Sequence, residues 1–271
     1  GSLRAFVRFG WLLRKMPDLI ITIHGTELIR FCSNPLEKFL FRRLLNKSRR
    51  VHVLSSFNKI ALLKLAPGLE DRILLFPGAP ARRLTGKGKK RMRGKDEKLK
   101  VLCVGRIHPR KGQDRLLEAI TNLPDKLVGK IQCLLVGPVV KRKFFDKLKK
   151  LAGSLKCQVS FLGDLHDGEL KTVYREADVF VMPSMPREKS VEGFGFVYLE
   201  AASHGLPVIA HETGGVKDAV RHGENGFLIN PDEPESLVEC IGKLIEDGDL
   251  RKKMGEQGLK WASSHSWDEV A

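Results

Sequence analysis

From Leu99 to the end of the chain, short apolar runs alternate with amphipathic stretches, and little separates them. The apolar runs are KVLCVGRI, IQCLLVGP, VSFLGDL, VFVMPS, PVIAHET and NGFLINP. Helices are predicted for GQDRLLEAITNL, KFFDKLKKLAGSL, DGELKTVYREA, residues 195–204, residues 217–222, PESLVECIGKLIED and the 250s. In the first of these the apolar positions fall at i, i+3, i+4 and i+7, the period of one helix face. The strands are apolar at consecutive positions, as strands covered on both faces are. The expected fold is α/β, with a doubly wound parallel sheet of Rossmann-like type.

A shorter unit of the same kind comes first. DLIITIHG, RVHVLSSF and DRILLFPGAP predict buried strands. PLEKFLFRRLLNKS and residues 58–66 predict helices, with Pro35 suited to a first turn. The opening GSLRAFVRFGWLLRKMPD reads as an amphipathic helix. Arg4, Arg8, Arg14 and Lys15 interrupt it and no small-residue cleavage site follows, unlike a signal peptide. Residues 81–100, ARRLTGKGKKRMRGKDEKLK, have almost no apolar content and read as a linker. The expected domains are 1–80, a basic linker 81–98, and 99–271.

The net charge is +16. Arg42, Arg43, Lys47, Arg49 and Arg50 form one basic cluster and the linker forms another. A solvated surface accounts for such clusters. So does attraction to an anionic membrane face, to a phosphorylated substrate or to nucleic acid. A nucleic-acid site adds stacking aromatics, and residues 81–100 contain none, so nucleic acid is not an expected partner. No run approaches the roughly 20 apolar residues of a membrane span. The five cysteines include no CxxC pair and fit reduced thiols in a cytoplasmic protein.

In doubly wound sheets, ligands sit in loops at the carboxyl ends of strands. In EGFGFVYLEAASHGLPVIA, Glu192 precedes a Gly-Phe-Gly turn, and Glu200 lies on the helix that follows. Gly193 and Gly195 let the backbone approach a ligand. A helix beginning near Gly195 offers unpaired N–H groups to an anion such as phosphate. The two carboxylates can each hold vicinal hydroxyls, one at either end of a ligand with a central phosphate. Equally, Glu192 can stabilise the helix start while Glu200 faces solvent. In GRIHPRKG, Arg106 and Lys111 can neutralise a diphosphate, or can simply be two more cations in a basic chain. His108 and Arg110 share that loop without a separate role. His24 ends a strand beside Gly25, as a structural histidine or as a hydrogen-bonding group facing a ligand across a cleft.

Taken together, EGFGFVYLEAASHGLPVIA, HETGGVKDAVRHGENGFLINPDEPESL and VGRIHPRKG resemble the family 4 retaining glycosyltransferases of GT-B fold. Glu192 and Glu200 look like the acids of that family's E-x7-E motif. The resemblance implies two Rossmann-like domains facing a cleft and a hexose transferred from a nucleoside diphosphate sugar. It implies that Arg106 and Lys111 grip the diphosphate and Glu200 the ribose. Glu192, with the backbone of Phe194, Gly195 and Phe196, would hold the sugar, and the Val197 amide would meet the phosphate. His24 looks like the family's first-domain histidine near the reacting sugar. The family is similar in needing no cofactor or metal, and its retention implies front-face attack with the leaving diphosphate as base. The long loop MPSMPREKSVEGFG is similar to that of lipid-directed mannosyltransferases. The implied acceptor is a glycan or glycolipid of envelope, capsule or lipopolysaccharide synthesis, met at the inner face of the cell membrane. The first unit is short for the family. A shortened form is therefore expected, with a non-catalytic nucleotide-sugar-binding module as the alternative.

Overall fold

The structure is a computed structural model, and it describes residues 18–86, 94, 97–187 and 190–265, together with Leu3 and Val7. The expected opening helix and the densest part of the linker lie mostly outside the described residues. Leu3 and Val7 are helical, and Val7 is buried against the first unit's core.

The first unit is a three-stranded parallel sheet of β1 (Ile20–Ile23), β2 (Arg50–Val53) and β3 (Ile73–Leu75), in that order. Its helices are α1 (Thr26–Cys32), α2 (Pro35–Lys47) and α3 (Ser56–Leu65). α2 starts where Asn34 accepts hydrogen bonds from the amides of Leu36 and Glu37, with Pro35 in its first turn. Ser55 caps α3 by accepting from the Asn58 amide. Ile21, Ile23, Val51 and Val53 face these helices and bury their side chains among Phe31, Phe41, Leu45 and Leu62. α1 was not legible, because TELIRFC follows a strand directly and spans two turns.

The second unit is a six-stranded parallel sheet in the order β6-β5-β4-β7-β8-β9. The strands are β4 (Leu99–Val104), β5 (Ile131–Val136), β6 (Gln158–Gly163), β7 (Val179–Met182), β8 (Val208–His211) and β9 (Gly226–Ile229). Between them run α4 (Gln113–Thr121), α5 (Asp125–Val128), α6 (Arg142–Ser154), α7 (Asp167–Glu176) and α8 (Phe196–Ser203). α9 (Pro234–Glu246) and α10 (Gly248–Ser263) close the chain. β7 and β8 are buried at every residue, as the unbroken apolar runs require. α4 packs between α6 and α9, and α8 packs on α10. The short helix expected at 217–222 is a single 3-10 turn, Val216–Asp218.

The order of strands reverses at β4. The chain steps outward to β5 and β6, then returns to β7 on the other side. Loops leaving β4 and β7 therefore meet at one end of the sheet, the place where such folds bind ligands. Residues 82–86, assigned to the linker by composition, dock on the second unit. Leu84 is buried, its carbonyl meets His204 Nε2 at 2.9 Å, and the Gly86 amide donates to Ser203 Oγ. Among the described residues, no helix is long and apolar enough to cross a membrane.

Candidate functional site

The loop after β4 passes Arg106 and tightens into a 3-10 turn, Pro109–Lys111. His108 caps that turn, with Nδ1 accepting from the Arg110 amide at 3.1 Å. Arg110 and Lys111 thus leave a short, fixed turn side by side. Glu192 enters from the loop after β7. Its Oε2 accepts from Lys111 Nζ at 2.7 Å and from Arg110 Nη1 at 2.9 Å. The three side chains are only 10–13% exposed. Burial pushes the Glu192 carboxyl up, but Lys111 and then Arg110 outweigh it and hold the group below the usual glutamate value. Oε1 accepts no bond from any described residue. The loop is fixed from behind by the Gly215 amide, which donates to the Glu192 carbonyl at 2.9 Å.

α8 opens beside this ion pair. Gly195 precedes it with φ 99°, and a Cβ there would overlap the Tyr198 ring. No side chain caps α8, so Glu192 does not serve as its cap. The first amides of α8 are left to an incoming acceptor, and the helix dipole favours an anionic one. Phe194 is buried and meets Phe196 edge to face at 5.4 Å. Glu200 is buried rather than solvent-facing. Tyr174 Oη on α7 donates to its Oε2 at 3.0 Å, and burial pushes its carboxyl up. Tyr174 itself is stacked on His204 at 5.3 Å.

The first unit reaches the same turn. A Cβ on Gly193 would overlap the His24 carbonyl oxygen, so the His24-Gly25 backbone lies directly on Gly193. The Gly193 carbonyl accepts from Ser55 Oγ at 2.7 Å and from Asn58 Nδ2 at 3.2 Å. Asp218 accepts from the amide and hydroxyl of Ser56. Phe196 packs on Gly78 of the expected LFPGAP strand end, which the structure leaves as loop. His24 is exposed on the first-unit side of this seam, and its amide donates to Glu27.

The structure therefore gathers Lys111, Glu192, Gly195, Phe196 and Val197 at one point, with Glu200 further along the same helix. Arg106 is exposed and makes no ion pair among the described residues, while its carbonyl accepts from Gln113 Nε2 at 3.0 Å. Burial, then Arg110, Arg106, Lys141 and Arg187, push the His108 imidazole down. Those four cations thus share one positive field around the loop. Sequence reading missed Arg110 as the partner of Glu192, Tyr174 as the partner of Glu200, and Ser55 and Asn58 as the seam. Arg110 was the accessible one, since it adjoins Lys111 in a loop already marked.

A family model described as glycosyl transferases group 1 matches residues 87–261. A GDP-mannose-dependent alpha-(1-6)-phosphatidylinositol monomannoside mannosyltransferase of Mycobacterium tuberculosis is 30% identical over 269 residues, covering 93% of this chain and 67% of the relative. A D-inositol 3-phosphate glycosyltransferase of Corynebacterium glutamicum is 34% identical over 177 residues, covering 63% of this chain and 41% of the relative. Among solved structures, Anabaena HepE in complex with UDP and glucose superposes with a TM-score of 0.77 at 22% identity, over 97% of this chain and 71% of that one. The chain thus spans about two thirds of the mycobacterial relative's length. Its two parallel-sheet units facing each other across the Gly193 seam have the GT-B architecture, and the chain belongs to the glycosyl transferases group 1 family.

Proposed function

We propose that the chain transfers a hexose from a nucleoside diphosphate sugar to a glycan or glycolipid acceptor of the cell envelope, with retention at the anomeric carbon. The observation that carries this reading is Glu192 held by Lys111 and Arg110 at the uncapped start of α8. Two buried cations and a row of open amides form a site for a diphosphate. With no donor bound, Glu192 supplies the negative charge there. An arriving diphosphate takes over the cations, and the acid is released to the sugar hydroxyls. Glu200, fixed by Tyr174, holds the ribose. His24 faces the sugar from the first unit.

Negative charge grows on the diphosphate as it departs, so fixed cations lower the barrier to its loss. The bond from the anomeric carbon to the phosphate oxygen breaks. The acceptor hydroxyl oxygen bonds that carbon on the same face, and its proton passes to the departing diphosphate. In this reading neutralisation falls to side chains and no metal or cofactor takes part. GDP-mannose is the first donor to assay, given the mycobacterial relative's name, and UDP-glucose the second. The expected product keeps the donor's anomeric configuration by proton NMR, at a rate unchanged by EDTA. An inverted product refutes retention, and a rate lost to EDTA refutes the metal-free reading.

Replacing both Arg106 and Lys111 by methionine is expected to weaken nucleoside diphosphate binding by about 2–5 kcal/mol, the cost of stripping partners from a buried charge. Calorimetry reads it, and an unchanged Kd removes both residues from the site.

We further propose peripheral attachment to the cytoplasmic membrane face. α2 exposes Leu36 (65%) and Phe39 (60%) together with Lys38, Arg42 and Arg43. Apolar tips among cations suit an anionic bilayer. Sedimentation with phosphatidylglycerol vesicles is expected at low salt. Leu36→Ser with Phe39→Ser should abolish it, and an equal bound fraction for that variant would rule out α2.

A further inference from the structure

The segment that joins the two units sits on the helices that hold Glu200. Its 3-10 turn, Arg82–Leu84, buries Leu84, and Arg83 pairs with Asp167 at the start of α7. Gly86 comes closer still. Its amide donates to Ser203 Oγ at 3.2 Å, and a Cβ on it would overlap the Ser203 carbonyl oxygen. A residue without a Cβ lets the main chain lie that near α8. Ser203 Oγ in turn donates to the Glu200 carbonyl at 2.7 Å.

His204 is the second tie. It follows Glu200 by four residues at the end of α8, and so stands on the same helix face. Its Nε2 lies 2.9 Å from the Leu84 carbonyl. A carbonyl only accepts, so Nε2 carries the proton and donates. Burial above all pushes the imidazole down, which keeps the ring neutral.

The His204 ring is stacked on Tyr174, with centroids 5.3 Å apart and planes 12° from parallel. Tyr174 has no exposed surface, and Phe180 also packs on it at 6.2 Å. Close packing of this kind leaves the phenol little freedom to turn. Its hydroxyl donates to Glu200 Oε2 at 3.0 Å. Glu200 and His204 therefore hold the same tyrosine, one by its hydroxyl and the other by its ring. Burial pushes the Glu200 carboxyl up, and the Tyr174 bond and then Arg83 oppose it. The joining segment thus acts on Glu200 twice, through orientation and through charge.

We propose that His204 is a positioning residue, through which segment 82–86 aligns Tyr174, and with it Glu200, for the ribose hydroxyls of the donor. The inference rests on the reading of Glu200 as the ribose acid. It makes the grip on the ribose depend on how the segment between the units is docked.

Calorimetry on the full chain compares GDP with 2′,3′-dideoxy-GDP, and UDP with its dideoxy analogue. The parent should bind the dideoxy form about 10²-fold more weakly, the scale of losing hydrogen bonds to a charged acceptor. His204→Phe keeps a ring on Tyr174 and removes the N–H. It should weaken the normal nucleotide about tenfold and leave the dideoxy form within about twofold, so that discrimination between them shrinks to about tenfold. Gly86→Ala lifts the segment from α8 without altering His204 or Tyr174. It should give the same pattern, and it decides the matter if the histidine variant fails to fold. A merely structural role weakens both forms alike, and that result overturns the inference. So does full discrimination retained in the variants. A parent that binds both forms equally, or binds neither nucleotide, removes Glu200 from the ribose and takes the inference with it.

Discussion

Glu192→Gln is expected to lower transfer by about 10²–10³-fold, the scale of removing one preorganised charge from a reacting centre. Glutamine keeps the shape and removes the charge. Lys111 and Arg110 then remain buried with no carboxylate between them. Stripping one partner from such a cluster costs about 3–5 kcal/mol, which a lower Tm would report. Added UDP or GDP restores the missing anion. The variant should therefore gain more Tm from a nucleoside diphosphate than the parent does, and bind it no more weakly. The acid limb provides a further check. Glu192 is held below its usual value, so its contribution is present above the unfolded-state pKa and disappears as pH falls through the folded-state one. The Tm gap between parent and variant should thus narrow as pH falls below the ordinary glutamate range. Transfer at the parental rate would remove Glu192 from the chemistry. Lost nucleotide binding would mean that the acid holds the nucleotide and not the sugar.

The parts of this site that lie close along the chain were legible before any coordinates. Glu192, the glycine turn and Glu200 fall within nine residues, and a strand–turn–helix pattern fixes their relation. Lys111 was legible for the same reason, one loop after a recognisable strand. What stayed hidden depends on strand order. Arg110 meets Glu192 across 82 positions only because β7 lies beside β4. Tyr174 meets Glu200 across 26 positions of chain, a tertiary contact that no local period encodes. Nor could charge alone rank Arg106 against Arg110. The 3-10 turn capped by His108 places Arg110 beside Lys111, and the sequence shows only two arginines four apart. Residues 82–86 misled for a related reason: basic composition signals solvent contact, yet the buried Leu84 side chain and the backbone bonds to His204 and Ser203 dock them.

The seam between the units gives the second large effect. Gly193→Ala is expected to cost transfer about 10²-fold or more while sparing nucleotide affinity. A Cβ at Gly193 would overlap the His24 carbonyl oxygen and lie 2.7 Å from its carbon, with Gly25 Cα at 3.4 Å. These obstacles are backbone, so no rotamer change relieves them. Gly25 has φ 117°, and a Cβ on it would come 2.8 Å from Gly193 Cα. The two glycines therefore allow the units to touch main chain to main chain, and the Gly193 carbonyl takes its bonds from Ser55 and Asn58 only at that closeness. A methyl group must push His24 away from Glu192, and displacements of about 1 Å at a reacting centre cost about 10²-fold. Lys111, Glu200 and the α8 amides all belong to the second unit and keep their places. Nucleoside diphosphate Kd should therefore hold within about threefold, a shift of less than 1 kcal/mol. Gly153→Ala on α6 is the control, because a Cβ there meets nothing within 4 Å. If Gly193→Ala transfers as fast as that control, contact between His24 and the Gly-Phe-Gly turn is not needed for catalysis, and the first unit serves only the acceptor.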